Sequence, residues 1–394
     1  MEQTKAMRTA WISCLIAALF PFYSFFQMNL FNVIGPLLVQ TEHLTIFQVG
    51  LLSASFLYAQ AAFLIIAGLL LDRYSIKNLI LMAMLVLATC TLVFTLSHSI
   101  WVLFMARILT GVAQAFAILG CFQLIVRYFP ADKNALLMGL IITIALFGGM
   151  CAQAPFLLII DALGMHAAML LNAWVGYGIT LLLFILLRSP PTIALPATKN
   201  HAIFEQLASV ITTIQNSLCG VYASIMSFPM LVLGAAWGAT YLIDTHQFSA
   251  LEATLTTLMI FIGMMIGTPI AGAWADFSSS YKKTILVMSP VLMVLVFLVI
   301  ILINPMPLTI LLILFFITGL LSGPQVLVYP LIVKNNDPSL AGLALGFAST
   351  LIILVGALAQ TLMSGLAAIV GVDRAIFMLP IALLLCVPIA LKIK

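Results

Sequence analysis

Apolar runs long enough to cross a lipid bilayer fill almost the whole chain, and short gaps holding nearly all its charge separate them. The runs fall at 10–38, 47–71, 77–97, 100–129, 134–161, 166–188, 217–243, 250–276, 282–303, 307–333, 339–369 and 373–391. A span needs roughly 20 apolar residues at about 1.5 Å of rise each. Only 7% of residues are charged and 64% are hydrophobic, against roughly 25% charged in a soluble domain. Backbone groups in lipid must bond internally, so each run is read as a helix. The chain is thus expected to be an all-α integral membrane protein with twelve spans.

The cations orient it. Lys5 and Arg8 precede span 1. Arg73 and Lys77 lie between spans 2 and 3, and Arg127 and Lys133 between spans 4 and 5. Arg188 and Lys199 follow span 6, and Lys282 and Lys283 lie between spans 8 and 9. Lys334 lies between spans 10 and 11, and Lys392 and Lys394 close the chain. Every one falls in an alternate gap. Of the others, Arg374 lies in an odd gap and Arg107 inside a span. Positive charge stays inside, so both termini are expected in the cytoplasm. The longest polar break, 189–216, divides the chain into bundles at 1–188 and 217–394. Within it Phe204, Leu207, Ile211 and Ile214 keep helical spacing, which suits a surface amphipathic helix or a downward extension of span 7.

The halves echo each other. Gly68 and Asp72 end span 2, and Gly272 and Asp276 end span 8, 204 residues on; Gly111 in span 4 and Gly319 in span 10 also correspond. Gly68, Asp72, Arg73 and Lys77 resemble the loop 2–3 signature of the major facilitator superfamily (G-x-x-x-D-R-x-G-R-K), with Ser75 and Ile76 at two departures. Arg107, Gly111 and Ala113 are similar to its helix-4 signature (R-x-x-x-G-x-G). Arg127 to Pro130 with Met138 and Gly139 resembles its 4–5 boundary. The resemblance implies two six-helix bundles that rock about a midplane site, with spans 1, 4, 7 and 10 lining a cavity. It also implies a conformational latch of Gly68, Asp72, Arg73 and Lys77, with Asp72 near the start of span 11 at Ser339. Gly272 and Asp276 would mirror it near Asn134.

A charge at depth needs a partner or a purpose. Arg107 is expected about 11 Å deep at 1.5 Å per residue, with Gly111 and Gln114 on its face. Two readings stand: a guanidinium for a substrate carboxylate or for coupling, or a structural bond to the span 1 backbone. Tyr23 and Gln27 in span 1, Trp237 and Tyr241 in span 7, and Gln325 and Tyr329 in span 10 complete the candidate substrate site. Each either binds solute or joins helices. No Asp or Glu lies mid-membrane; Asp244, beyond Tyr241, is the other coupling candidate.

These features predict a secondary transporter in the cell inner membrane for a small organic solute. A zwitterion, a monocarboxylate or a neutral polar metabolite such as an amino acid or nucleoside suits a cavity with one cation. Ion-coupled uptake is expected, with H+ or Na+ as coupling ion; drug, metabolite or siderophore efflux is the alternative. Residues Gly148 to Pro155 match the drug-antiporter pattern of helix 5 poorly. No catalytic or metal-binding set stands out, so no enzyme activity, metal or cofactor is expected. The expected partners are solute and lipid rather than nucleic acid, around a monomer. Asp72→Asn should lower uptake while leaving membrane insertion intact; unchanged uptake at equal expression would remove the latch.

Overall fold

The computed structural model describes residues 2–41, 44–129, 131–189, 207–277, 279–336 and 340–393. Among them helix is the only regular structure. Eleven helices are long and apolar enough to span a membrane, and a bent pair, Ile214–Met226 with Pro229–His246, makes the twelfth. The sequence expectation that each run is helical is met, but several runs are not one unbroken helix. Span 1 breaks at Ala18 and again at Leu30, span 4 at Ala115 and Phe116, span 5 at Ala152 and Gln153, and span 7 at Ser227. Span 7 then runs as a π-helix over Pro229–Trp237. Span 10 passes through a 3-10 turn at Gly323–Leu327. Spans 1, 4, 7 and 10 are therefore all irregular, and these are the four that the family resemblance places around a cavity.

The packing explains why the fold divides where it does. Contacts group Met1–Met28 with Ser55–Ala197, and Asn29–Ala54 with Thr198–Lys394. The second part of span 1 and the start of span 2 thus pack with the second-half helices. In the first unit, Phe20, Leu71, Ile80, Met84, Leu124 and Leu183 share one buried core. The helix 207–212 ends at Thr213 and is separate from span 7. Its Val210 carbonyl accepts from Asn216 Nδ2 at 2.9 Å. The rest of the linker, with Phe204, lies outside the described residues.

The repeat seen in two glycine pairs extends through the packing. A Cβ at Gly111 would fall 2.1 Å from the Phe56 carbonyl oxygen, and one at Gly319 would fall 2.1 Å from that of Ile260. Spans 2 and 4 thus touch backbone to backbone, as do spans 8 and 10. A Cβ at Gly148 would meet Phe22 of span 1, and one at Gly356 would meet Leu231 of span 7. Span 3 packs on span 6, and span 9 on span 12. Capping repeats too. Thr45 and Gln48 open span 2 with a reciprocal pair, Thr45 N–H to Gln48 Oε1 at 2.8 Å and Gln48 N–H to Thr45 Oγ1 at 3.2 Å. Ser249 and Glu252 open span 8 in the same way, at 2.9 and 3.3 Å. This capping box satisfies first-turn donors that a helix cannot satisfy itself.

The glycines divide into two kinds. Gly68 and Gly272 would meet no atom with an added Cβ, so their helices make no close approach there. Gly111→Val and Gly319→Val should each destabilise the purified protein by about 1–3 kcal/mol through overpacking. Gly68→Ala and Gly272→Ala should stay within about 0.5 kcal/mol of the parent. Thermal unfolding in detergent checks the contrast, and equal losses in both pairs would contradict it.

Candidate functional site

In the first unit the site is built around Arg107. The residue is 3% exposed. Its Nη1 donates to the Gln27 carbonyl oxygen at 3.1 Å, and its guanidinium carbon stands 4.6 Å from the centre of the Phe56 ring. One side chain of span 4 therefore holds spans 1 and 2. Gln27 lies in the last turn of the helix Leu19–Asn29, where the negative end of the helix dipole favours a cation. This is the span 1 backbone bond of the structural reading. Neither of these two partners, the carbonyl or the ring, carries net charge.

Gln114 follows seven residues later on the same helix, just before the break at Ala115. It is buried, and neither of its amide atoms has a hydrogen-bond partner among the described residues. The same holds for Gln27 Nε2 and for Oε1 of Gln60, which is four residues beyond Phe56 on span 2. An amide buried with nothing to bond costs roughly 1–3 kcal/mol. Such groups gathered on the helices that carry the deep cation suit a ligand with both acceptors and donors. Tyr23 behaves differently. Its hydroxyl donates to the Asn172 carbonyl oxygen of span 6 at 3.0 Å, so it joins helices.

The second unit has its own set. Trp237 ends the π-segment of span 7, is buried, and its Nε1 has no hydrogen-bond partner among the described residues. Gln360 of span 11 donates from Nε2 to the Leu231 carbonyl oxygen inside that segment, while its Oε1 is without a partner among the described residues. Gln325 accepts from the Ser227 hydroxyl, and its Nε2 lies 3.8 Å from Met264 Sδ. Spans 7, 8 and 10 thus meet at Gln325. Tyr241 points its hydroxyl at the Ile300 carbonyl oxygen of span 9, 3.4 Å away, and serves as helix glue. Tyr329 is half-buried, and Asp244 is exposed near the end of span 7.

Of the latch residues, Lys77 donates to the Phe184 carbonyl oxygen at 3.3 Å and lies over the Phe184 ring. It pins the start of span 3 to span 6. Arg73 is exposed. The side chains of Asp72 and Asp276 lie outside the described residues, as do Ser339 and the Asn134 side chain. Ser75, the first departure from the signature, acts as N-cap of span 3, with its Oγ 3.5 Å from the Asn78 N–H. Among the described residues no group of acids, histidines and cysteines is arranged to hold a metal.

The sequence reading did not single out Gln60 or Gln360. Gln60 had a signal, an amide inside an apolar run. Gln360 had another, since it stands 207 residues after Gln153, which is fully buried at the break in span 5.

The fold is that of a polytopic membrane protein. The family model of the Major Facilitator Superfamily matches residues 17–240, and the chain belongs to that superfamily. It is thus a multi-pass membrane protein. A curated relative, the probable sulfoacetate transporter SauU of Cupriavidus necator, is 23% identical over 267 residues. That alignment covers 64% of this chain and 61% of the relative. Among solved structures, an inward-facing, unoccupied bacterial homologue of the human lysosomal transporter Spinster superposes with a TM-score of 0.79. It is 16% identical and the match covers 97% of this chain and 96% of that one. A point mutant of the nucleoside transporter NupG gives 0.75 at 14% identity, over 96% and 99%.

The two kinds of polar residue separate in a stability experiment. Gln114→Leu removes two buried, unbonded atoms and should hold or raise the melting temperature of the ligand-free protein while weakening uptake. Tyr23→Phe removes a satisfied bond and should cost about 1 kcal/mol with little change in solute affinity. If Gln114→Leu melts lower than Tyr23→Phe, the amide is structural.

Proposed function

We propose that the chain is a secondary active transporter that carries a small organic anion across the inner membrane by alternating access, as ion-coupled uptake. The observation that carries this reading is Gln114: a buried amide whose polar atoms have no partner among the described residues, seven residues on and on the same helix face as the deep cation Arg107. A solute with one carboxylate or sulfonate group would meet the Arg107 guanidinium through charge-assisted bonds. The amide atoms of Gln27, Gln60 and Gln114 then take its remaining donors and acceptors. Zwitterions fit the same inventory, whereas a cationic solute would want a buried carboxylate, and the sequence places none mid-membrane. The relative SauU, a probable sulfoacetate transporter, supports the same chemical class. Arg107 and Asp244 are the coupling candidates, for H+ or Na+.

Purified protein screened by thermal shift should be stabilised by short carboxylates or sulfonates, in line with ligand linkage, and not by matched amines. A stabilising anion should then show counterflow in proteoliposomes, with uptake accelerated by internal solute. Stabilisation by amines alone would sink the proposed solute class. Uptake without any acceleration by internal solute would sink the carrier reading.

A further inference from the structure

The helix Gly238–His246 begins where the π-segment of span 7 ends, and its capping residue, Trp237, contributes no side-chain cap. Its first amide, the Gly238 N–H, still bonds back to the Leu233 carbonyl of the π-segment, while the next, that of Ala239, is open to a side-chain acceptor. Asn32 supplies one. It belongs to the helix Phe31–Thr41 and is fully buried. Its Oδ1 accepts from the Ala239 N–H at 2.8 Å, and Ala239 is the second residue of the capped helix, the position an N-cap side chain serves. Its Nδ2 donates to Thr257 Oγ1 of span 8 at 2.9 Å. The amide orientation is fixed, because a backbone N–H can only donate and Thr257 Oγ1 already donates to the Thr254 carbonyl oxygen at 3.0 Å.

A second contact holds the same segment. A Cβ at Gly50, in the first turns of span 2, would fall 1.7 Å from Ser364 Oγ and 2.6 Å from Trp237 Cζ2. Only glycine fits between spans 7 and 11 there. Residues Asn29–Ala54 are thus fastened to the second-half helices at two places, and Trp237 borders both. Yet they continue covalently into spans 1 and 2, whose remaining parts belong to the first unit.

We propose that Asn32 is a gate residue: an N-cap delivered in trans that fastens the second half of span 7 only while Asn29–Ala54 sits on spans 7 and 8. This is the end of the spans that the charge pattern assigns to the exterior. When the segment leaves, the Ala239 N–H and the Thr257 hydroxyl lose the Asn32 amide and Trp237 loses its neighbour at Gly50. Closure of the exterior side and the order of span 7 around Trp237 are then one event. The inference rests on the transport reading, because a gate presupposes a moving carrier.

The test uses the full-length protein with Ser53→Cys, a buried reporter within the segment, labelled in intact cells by a membrane-impermeant maleimide. No solute is added. Adding Asn32→Ala should speed labelling about fivefold, the population shift expected from losing one N-cap. Thr257→Val should shift it in the same direction by less. Leu38→Val, on the same helix and outside these bonds, should leave it unchanged. Should Asn32→Ala fail to fold, Thr257→Val decides. Labelling rates equal to the parent in both bond-breaking variants would overturn the gate. Faster labelling in a protein that transports nothing would keep the Asn32 fastening as a structural contact and overturn the transport reading, and with it the gate. Transport with unchanged labelling would overturn the gate and leave the transport reading standing.

Discussion

A helix that stops inside lipid leaves carbonyls and amides with no water to bond, and each such group costs several kcal/mol. Every break in the cavity helices raises that cost, and in this chain residues from neighbouring helices offset it. Pro21 has no N–H to offer the Ala17 carbonyl four residues back, and Cys121 of span 4 donates to that carbonyl at 3.3 Å. Arg107 bonds the carbonyl of Gln27 in the last turn before the break at Leu30. Gln360 bonds the Leu231 carbonyl in the π-segment, and Asn32 bonds the Ala239 amide beyond it. An N-cap contributes about 1 kcal/mol and a partly buried cation at a helix C-terminus up to about 2. These terms are of the right size to hold a break in place without making it permanent.

The internal repeat shows that the breaks are built in rather than incidental. Pro21 and Pro229 stand 208 residues apart, as do Ala115 and Gly323 at the irregular points of spans 4 and 10. The glycines that let neighbours approach, Gly111 with Gly319 and Gly148 with Gly356, keep the same offset. Close backbone contact supplies rigid partners for the broken helices: span 4 is held against span 2, and span 10 against span 8. The irregular element of each pair therefore rests on a regular one. Discontinuous helices supported in this way are where carriers expose polar backbone and side chains to a solute.

Much of this was legible in the sequence because the membrane reduces folding to a pattern of length and charge. Twelve spans and membership of the superfamily followed from apolar runs and from Gly68, Asp72, Arg107 and Gly111. Breaks were harder to read. Pro21, Pro229 and Pro324 mark three of them, but Pro269 and Pro290 lie inside continuous helices, so proline alone does not specify a break. Whether a polar side chain binds or glues was also beyond the sequence. Tyr23 and Gln27, four residues apart on one helix, differ only in whether a carbonyl of another helix stands within reach. Nor could spacing reveal that Asn32 bonds spans 7 and 8, since its partners lie more than 200 residues away.

Arg107 and Asn32 have complementary positions in this scheme. One bonds the last-turn carbonyl of a helix that ends at Asn29, and the other belongs to the helix that begins at Phe31. Only the Leu30 break separates them. The first ties span 1 to spans 2 and 4, and the second ties it to spans 7 and 8. A rigid span 1 would pass any shift at one bond directly to the other. A break between them lets the Asn32 bonds open while the Arg107 bond stays closed. The deep cation then keeps its position on the Gln27 carbonyl whether or not the Asn32 bonds are fastened.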